Sequence, residues 1–340
     1  MAIKSDKLGS LPRAPRDQAN GTMPDSHTRF GGVLVEKWQE EDRERNANYV
    51  RSARVSFSSA GQCARRMGLE LLGVPRVPIE KPGIHVMRIG TIIHEHWQAA
   101  MKEAVERGDF GEDTTIELEP RVTVDGLDGS GRVDAVLREQ RVTSDGKKYE
   151  WVTVVELKTK GGFGYKLAVG QRGAAQGPGF ENLQQAGLYG LALDADEVVI
   201  VYIATEAISV AAAKGRKHID ELTRMAVDFT FTPDEFEPVA KMEVKRMNRI
   251  MELVDCGELA PKSFPNTELP PRHEIVDPKS GSWRVIDPET GATTNTGKWW
   301  ACNYCPYQEI CQDQPMGIID IPVDLIPKPE EAAELPEGGE

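Results

Sequence analysis

Residues 151–160, WVTVVELKTK, decide the fold because they join an apolar run to a glutamate and a lysine two positions apart. Upstream, residues 129–137 read GSGRVDAVL, and the segment SDGK at 144–147 lies between the two runs. An Asp-Gly pair between apolar runs is typical of a β-hairpin. The two runs are therefore predicted to be the arms of an antiparallel hairpin.

The hairpin register brings acidic side chains together. If the turn is centred on Asp145 and Gly146, Asp134 falls opposite Glu156 to within a residue or two. Cross-strand neighbours lie about 5 Å apart, a distance that one divalent ion can bridge. Lys158 follows Glu156 by two residues and so points to the same face of the sheet.

Apolar periodicity outside the hairpin predicts an alternation of helices and strands. Helices are expected at 34–53, 60–72, 86–107, 181–193 and 233–254, with Ser56, Ser58 and Ser59 as N-cap candidates for the second. Strands are expected at 115–124, 131–138, 149–158, 197–203 and 226–231. A glycine-rich loop is expected at 161–180, and an extended segment with little periodicity at 257–300. This order predicts an α/β fold, a mixed β-sheet flanked by helices.

Composition limits the class of protein. The 340 residues carry a formal net charge of −13, which argues against a general nucleic-acid coat but permits a local basic groove. No apolar run is long enough for a membrane span, and the N-terminus lacks a signal-peptide core, so a cytoplasmic location is expected. The predicted parts are a disordered tail at 1–30, a helical segment at 31–85, the core at 86–255, an extended cysteine-containing region at 256–315 and an acidic tail at 316–340.

Two carboxylates and a lysine on otherwise apolar strands are costly unless they are paired or bind a metal. Asp134 and Glu156 suit a hard cation such as Mg²⁺, which prefers oxygen ligands. A bound metal lowers the pKa of a water and neutralises charge on a phosphate, while Lys158 orients or deprotonates that water or stabilises the transition state. The alternative is a buried salt-bridge cluster without chemistry.

Two predicted helices offer further polar groups. His94 lies inside an apolar helix and can supply a nitrogen ligand, although a satisfied boundary histidine has the same pattern. Gln185 and Tyr189 lie one helical turn apart, hence on one face. Their amide and phenol suit phosphate or base contacts, and a plain polar helix face is the alternative.

The five cysteines are placed unevenly. Cys302, Cys305 and Cys311 form a CxxC-x5-C motif, three soft ligands at metal-like spacing. A disulfide framework is not expected in a reducing compartment. A fourth metal ligand must come from elsewhere in the chain, and the candidates are Cys63 and Cys256. Thiolates suit both iron–sulfur clusters and zinc.

The ordered set of motifs resembles the RecB-like branch of the PD-(D/E)xK nucleases over roughly residues 55–315. The resemblance implies a restriction-endonuclease-like core at 86–255 and a Mg²⁺ or Mn²⁺ site. The metal ligands that it implies are His94, Asp134, Glu156 and the Leu157 carbonyl. It further implies that Lys158 is the catalytic lysine and that Gln185 and Tyr189 shape the site around DNA.

The segment FSSAGQCARR at 57–66 resembles the early cysteine motif of the iron–sulfur members of this branch, the Cas-four and AddB-type exonucleases. That resemblance implies a 4Fe–4S cluster in a lobe that joins the N- and C-terminal segments. Its ligands would be Cys63, Cys302, Cys305 and Cys311. Cys256 then reads as a small buried hydrophobe, and zinc remains the alternative metal.

The expected function is a DNA exonuclease that hydrolyses single-stranded DNA or DNA ends in recombination, repair or processing, and a phage genome is one expected origin. The expected partners are DNA and a separate helicase or recombination protein. Two alternatives are a non-catalytic DNA-binding adaptor with a nuclease-like fold and a zinc-stabilised structural protein.

Several other side chains are candidates for DNA or cluster contacts. Arg65 and Arg66 are expected to reach phosphates. Tyr165, Lys166 and Arg172 on the glycine-rich loop are expected to contact unpaired bases, with ordinary solvated charges as the alternative. Trp299 and Trp300 are expected to pack over the cluster.

Overall fold

The computed structural model describes residues 36–38, 40–41, 44, 54–77, 81–170, 175–205, 225–262, 273–277, 282–286, 293–298, 302, 305–311, 314 and 317–325. The chain divides into two units, Met1–Asn48 and Tyr49–Glu340, and every element below belongs to the second. In the first unit the described residues are helical, and the rest of the predicted 34–53 helix lies outside the described residues. The predicted tail at 1–30 also lies outside them, as do residues 326–340 of the acidic tail.

A five-stranded mixed sheet forms the centre of the second unit. Its strand order is β2-β5-β6-β7-β8, and β6 pairs parallel with β7 while the other pairs are antiparallel. The strands are β2 (Thr114–Leu118), β5 (Ala135–Val142), β6 (Lys148–Lys160), β7 (Glu197–Ala204) and β8 (Ala226–Phe231). The middle of β6 is buried on both faces, which is why residues 152–155 are apolar or threonine.

The predicted hairpin register is confirmed. Ala135 pairs with Val155 and Val136 with Val154, so the next position outward sets Asp134 opposite Glu156. The turn is closed by a hydrogen bond from the Thr143 amide to the Lys147 carbonyl. Gly146 has a φ of 82°, a left-handed conformation that glycine adopts without strain.

Helices cover both faces of the sheet. Helix α2 (Lys81–Glu106) packs Ile93 and Trp97 against a cluster that includes Leu137 and Leu157. On the other face, α4 (Phe180–Leu193) and α5 (Pro233–Asp255) pack against the larger core. The crossover between parallel β6 and β7 contains α3 (Gly162–Ala168) and α4, as parallel pairing requires a long connection. The mixed sheet flanked by helices agrees with the predicted fold class.

The strands predicted at 115–124 and 131–138 are each interrupted, and that prediction was wrong in detail. A second sheet, of order β1-β4-β3, takes part of each run. Its strands are β1 (Val55–Ser56), β3 (Arg121–Thr123) and β4 (Gly129–Arg132). The first break falls at Glu119, whose φ is 53°, and at Pro120, which has no amide to donate to a ladder. The break before Ala135 leaves Asp134 outside regular pairing, where its side chain is available to the site.

Two local predictions are corrected. The glycine-rich loop expected at 161–180 contains α3, since Tyr165 and Ala168 supply a buried face for one short helix. Ser56 caps a short 3-10 helix at Phe57–Ser59 and not the following α-helix. That helix, α1 (Ala64–Leu71), begins after Cys63, which occupies its N-cap position without a side-chain cap hydrogen bond.

The segment at 257–300 has more regular structure than predicted. It contains a three-stranded antiparallel sheet of β10 (His273–Asp277), β11 (Ser282–Ile286) and β12 (Thr293–Lys298). Strand β9 (Glu258–Leu259) pairs with β13 (Ile319–Asp320), after the short helix α6 (Gln308–Cys311). Such short strands give little periodic signal among Pro, Gly and Asp residues. No helix in the described ranges has the length and apolarity of a membrane span.

Candidate active site

Polar side chains from four elements meet where β5 begins and β6 nears its end. Asp134 directly precedes β5, and Glu156 and Lys158 project from β6. These residues lie between α2, which carries His94, and α4, which carries Gln185 and Tyr189. The predicted site residues that the sequence spreads over 94–189 are thus brought together.

A chain of hydrogen bonds runs from β6 to α4. Lys158 Nζ donates to Glu156 Oε1 at 2.6 Å and to Gln185 Oε1 at 2.9 Å. Gln185 Nε2 in turn donates to the Tyr189 hydroxyl at 2.9 Å. The spacing of four residues puts Gln185 and Tyr189 on one helix face, so the tyrosine fixes the amide that holds the lysine.

Asp134 links the hairpin to α2. Its Oδ2 accepts the Leu157 amide at 2.7 Å, and its Oδ1 lies 3.3 Å from His94 Nδ1. The Asp134 carbonyl accepts Gln98 Nε2 at 3.2 Å. Gln98 was missed from the sequence, although its position one turn beyond His94 on a predicted helix is the signal that finds it.

Glu156 is a buried carboxylate whose hydrogen bonding is incomplete. It is 2% exposed, and its Oε2 is buried with no hydrogen-bond partner among the described residues. Burial raises the pKa of Glu156 to about 7, Asp134 adds to the rise, and Lys158 opposes it. Burial likewise raises the pKa of Tyr189 well above its ordinary value, so the phenol stays protonated.

The donor set fits a hard divalent cation. Two carboxylates face each other across the hairpin, and one of their oxygens is buried with no partner among the residues that the structure describes, which is costly without a counter-charge. In the described part of the chain, however, no group of three or more His, Cys, Asp or Glu side chains is placed so that it could hold a metal ion. The Lys158 ammonium forms an ion pair with the Glu156 carboxylate instead, so this ion pair would have to rearrange for a metal to bind.

The thiols of Cys63, Cys302, Cys305 and Cys311 influence one another electrostatically, although within the described ranges they are not placed so that they could hold a metal ion. Burial raises the pKa of Cys302 to about 12 and that of Cys311 to about 11, and Cys63 and Cys305 add to both effects. The four thiols thus lie within electrostatic range of one another, at the start of α1 and around α6. The cations of Arg65 and Lys262 act on the same thiols.

Comparisons with known proteins give structural similarity alone. No protein-family model matches the chain, and no curated protein matches it. The solved structure titled SSO0001 aligns with a TM-score of 0.42 and 15% identity, covering 83% of this chain and 96% of that one. The alkaline exonuclease LHK-Exo from Laribacter hongkongensis aligns at 0.37 and 11%, covering 65% and 93%. Its complex with dAMP aligns at 0.35 and 10%, covering 59% and 88%. All three TM-scores are below 0.5, so the similarity identifies no family.

Two further predictions about single residues were wrong. Arg65 is fully buried and donates to the carbonyls of Ala260 and Gly317 and to Gln314 Oε1, so it does not reach a phosphate. Cys256, expected to be buried, is exposed after the end of α5. The partners of Arg65 lie in segments distant in sequence.

The remaining candidates are Arg66, Tyr165, Lys166, Arg172, Trp299 and Trp300. Arg66 pairs with Glu70, four residues on. Tyr165, expected to contact bases, is buried in the core, whereas Phe163 on the same helix is 61% exposed. Lys166 is half-buried on α3. The other three candidates lie outside the described residues: Arg172, Trp299 and Trp300.

Proposed function

We propose that this chain is a metal-dependent deoxyribonuclease that hydrolyses phosphodiester bonds. The observation that carries the proposal is the buried Oε2 of Glu156, which has no hydrogen-bond partner in the described ranges and lies opposite Asp134 and beside Lys158. Carboxylates that are placed this way attract a divalent cation, and an adjacent lysine supplies the charge that phosphoryl transfer requires.

The residues proposed to hold the metal are His94, Asp134, Glu156 and the Leu157 carbonyl, with Mg²⁺ or Mn²⁺ as the ion. When bound, the metal supplies a water of lowered pKa and neutralises charge on the scissile phosphate. The Asp134 carboxylate is already oriented by the Leu157 amide and by His94, so little freedom is lost when it binds.

Lys158 is proposed as the catalytic lysine. Its ammonium is held between the Glu156 carboxylate and the Gln185 side-chain carbonyl. A fixed positive charge at this point stabilises the negative charge that develops on phosphate oxygens and orients the attacking water. Tyr189 contributes by fixing Gln185, and it keeps its proton because it is buried.

The proposed substrate is single-stranded DNA or a DNA end, cleaved exonucleolytically during recombination, repair or processing, with a separate helicase or recombination protein as partner. The resemblance to RecB-like nucleases supports this assignment through the order of its motifs. The same resemblance supports a 4Fe–4S cluster on Cys63, Cys302, Cys305 and Cys311. Burial opposes ionisation of Cys302 and Cys311, while the positive charge of Lys262 favours it, so thiolates here would need the charge of a bound metal.

Digestion of oligonucleotides labelled at the 5′ or 3′ end, by anaerobically purified protein with Mg²⁺ or Mn²⁺, tests the proposal. We expect stepwise shortening by the wild type and loss of cleavage in Asp134→Ala and Lys158→Ala. Lys148→Ala is the matched control, because Lys148 lies exposed at the opposite end of β6. DNA binding without cleavage under every metal would contradict the nuclease and support an adaptor. A colourless, zinc-loaded protein would replace the iron–sulfur assignment with zinc.

A further inference from the structure

The polar face between β6 and α4 continues one step beyond the candidate active site. Lys160 follows Lys158 by two residues and therefore points to the same side of the sheet. On α4, Glu181 precedes Gln185 by four residues, as Gln185 precedes Tyr189. Two strand residues advance about 6.6 Å and four helical residues about 6 Å, so the two rows stay aligned. The charge of Glu181 acts on Lys160, which agrees with this alignment of the two rows.

Lys160 is held against a rigid aromatic surface. Its Nζ lies 4.6 Å from the centroid of the Tyr202 ring, within cation–π range. The Tyr202 hydroxyl accepts the Gly179 amide at 2.8 Å and also the side chain of Asn182. The ring meets Phe229 edge-on at 5.4 Å, so its position is fixed from several sides.

The ammonium of Lys160 lacks a close anionic partner. In the part of the chain that the structure describes, it forms neither an ion pair nor a side-chain hydrogen bond, and its contact is the Tyr202 ring. Burial lowers its pKa, while the negative charge of Glu181 opposes that effect. A half-buried cation beside a second lysine is unfavourable unless an anion binds there.

We propose that Lys160 binds the phosphate next to the one that is cleaved, so that Lys158 and Lys160 track consecutive phosphates of one DNA strand. The inference rests on the proposed nuclease function and extends its site by one nucleotide. A basic row that follows a backbone is the usual way in which proteins grip a single strand. Glu181 lies at the same subsite, where its charge weakens the grip on DNA.

Binding of a labelled single-stranded oligonucleotide, measured over a range of salt with Ca²⁺ in place of Mg²⁺, tests the proposal. We expect Lys160→Met to weaken binding roughly tenfold. We also expect it to reduce the slope of log affinity against log salt by about 0.7, the value for one phosphate of a single strand. Lys160→Arg should restore both quantities, and Glu181→Gln should tighten binding. Lys148→Met, at the far exposed end of β6, is the control and should change neither.

A neutral methylphosphonate placed at single linkages identifies the phosphate. One linkage away from the cleaved bond, it should weaken binding to the wild type about as much as Lys160→Met does. It should add little to the defect of that variant, because the contact is already lost. This measurement on the wild type also decides the matter if Lys160→Met fails to fold.

Two outcomes separate this inference from the nuclease assignment. If the wild-type protein cleaves DNA but Lys160→Met keeps full affinity and an unchanged salt slope, the phosphate subsite alone is overturned. A wild-type protein that neither binds nor cleaves DNA would overturn both proposals together.

Discussion

The ammonium of Lys158 lies 2.6 Å from Oε1 of Glu156, while Oε2 of the same carboxylate is buried without a partner among the described residues. Glu156 is therefore only half satisfied by its lysine. A divalent cation bound by this oxygen and by the opposing Asp134 would release Lys158 from its role as counter-ion. This relationship determines how the stability of the protein should depend on pH and metal.

We expect the metal-free protein to lose stability as the pH rises from about 4.5 to about 7. A glutamate in the unfolded chain ionises near 4.5, whereas burial raises the pKa of Glu156 to about 7. In that window the folded state keeps a proton that the unfolded state has released, so the free energy of unfolding falls as the pH increases. The loss should be on the order of 3 kcal/mol.

Urea unfolding with a chelator present, at several pH values, measures this effect. Glu156→Gln cannot ionise and should flatten the dependence within the window. Mg²⁺ or Mn²⁺ should stabilise the wild type increasingly above pH 7, because a metal binds the ionised carboxylate. An equal slope in wild type and variant would show that Glu156 is not the group that titrates.

Removing the Tyr189 hydroxyl should slow cleavage without preventing folding. Gln185 Nε2 donates to this hydroxyl, and Gln185 Oε1 accepts Lys158 Nζ, so Tyr189→Phe leaves the lysine less firmly held. We expect kcat to fall roughly fivefold, the value of one ordinary hydrogen bond, with little change in KM. Steady-state digestion rates provide the measurement, and a rise in KM alone would instead assign Tyr189 to substrate binding.

The carboxylate–lysine pattern could be predicted because it depends on local rules. The Asp-Gly turn fixes the hairpin register, and the two-residue alternation of a strand places Glu156 and Lys158 on one face. His94 and Gln185 lie on helices whose position against the sheet is set by tertiary packing. Periodicity alone does not indicate their roles, and the roles proposed for them come from the resemblance to RecB-like nucleases.

The predictions that failed depend on contacts distant in sequence. Arg65 has its partners at Ala260, Gln314 and Gly317, which no local pattern indicates. Strand breaks at Glu119 and before Ala135 arise because one apolar run serves two sheets in turn. An apolar alternation predicts that a strand exists but not which neighbour it pairs with.

Arg65 should be essential for stability and dispensable for DNA contact. Arg65→Met leaves the carbonyls of Ala260 and Gly317 and the Gln314 amide without their donor in a buried site. We expect a loss of at least about 3 kcal/mol in the free energy of unfolding. Arg66→Met should cost about 1 kcal/mol or less, because Arg66 is partly exposed and the buried Glu70 keeps its second ion pair, with Arg76. Equal losses in the two variants would contradict the buried role of Arg65.

Cys63 and Cys256 should differ when each is replaced by serine. Cys63 lies in electrostatic range of the three late cysteines, whereas Cys256 is exposed. After anaerobic purification, Cys63→Ser should lose iron, sulfide and the visible absorption of a cluster, and its Tm should fall. Cys256→Ser should keep all four properties. Retention of a full cluster in Cys63→Ser would show that another residue is the fourth ligand.

Glu243 should contribute more to stability than any exposed acidic residue of α5. Its buried carboxylate accepts Arg246 at both oxygens, Gln184 at Oε2 and the Gly61 amide at Oε1. Glu243→Ala removes the buried acceptor of the Arg246 guanidinium, the Gln184 side-chain amide and the Gly61 N–H, and we expect a loss of about 3 to 5 kcal/mol.

Glu237→Ala is the matched control for this change, because Glu237 pairs with Lys241 near the surface of the same helix. We expect it to cost less than about 1 kcal/mol, as exposed ion pairs do. Arg246 also donates to the Gln62 carbonyl, next to Cys63, so Glu243→Ala should loosen the segment that carries the first cysteine. Chemical unfolding combined with iron analysis checks both expectations. A Glu243→Ala protein as stable as Glu237→Ala would show that the buried network holds neither α4 nor this segment in place.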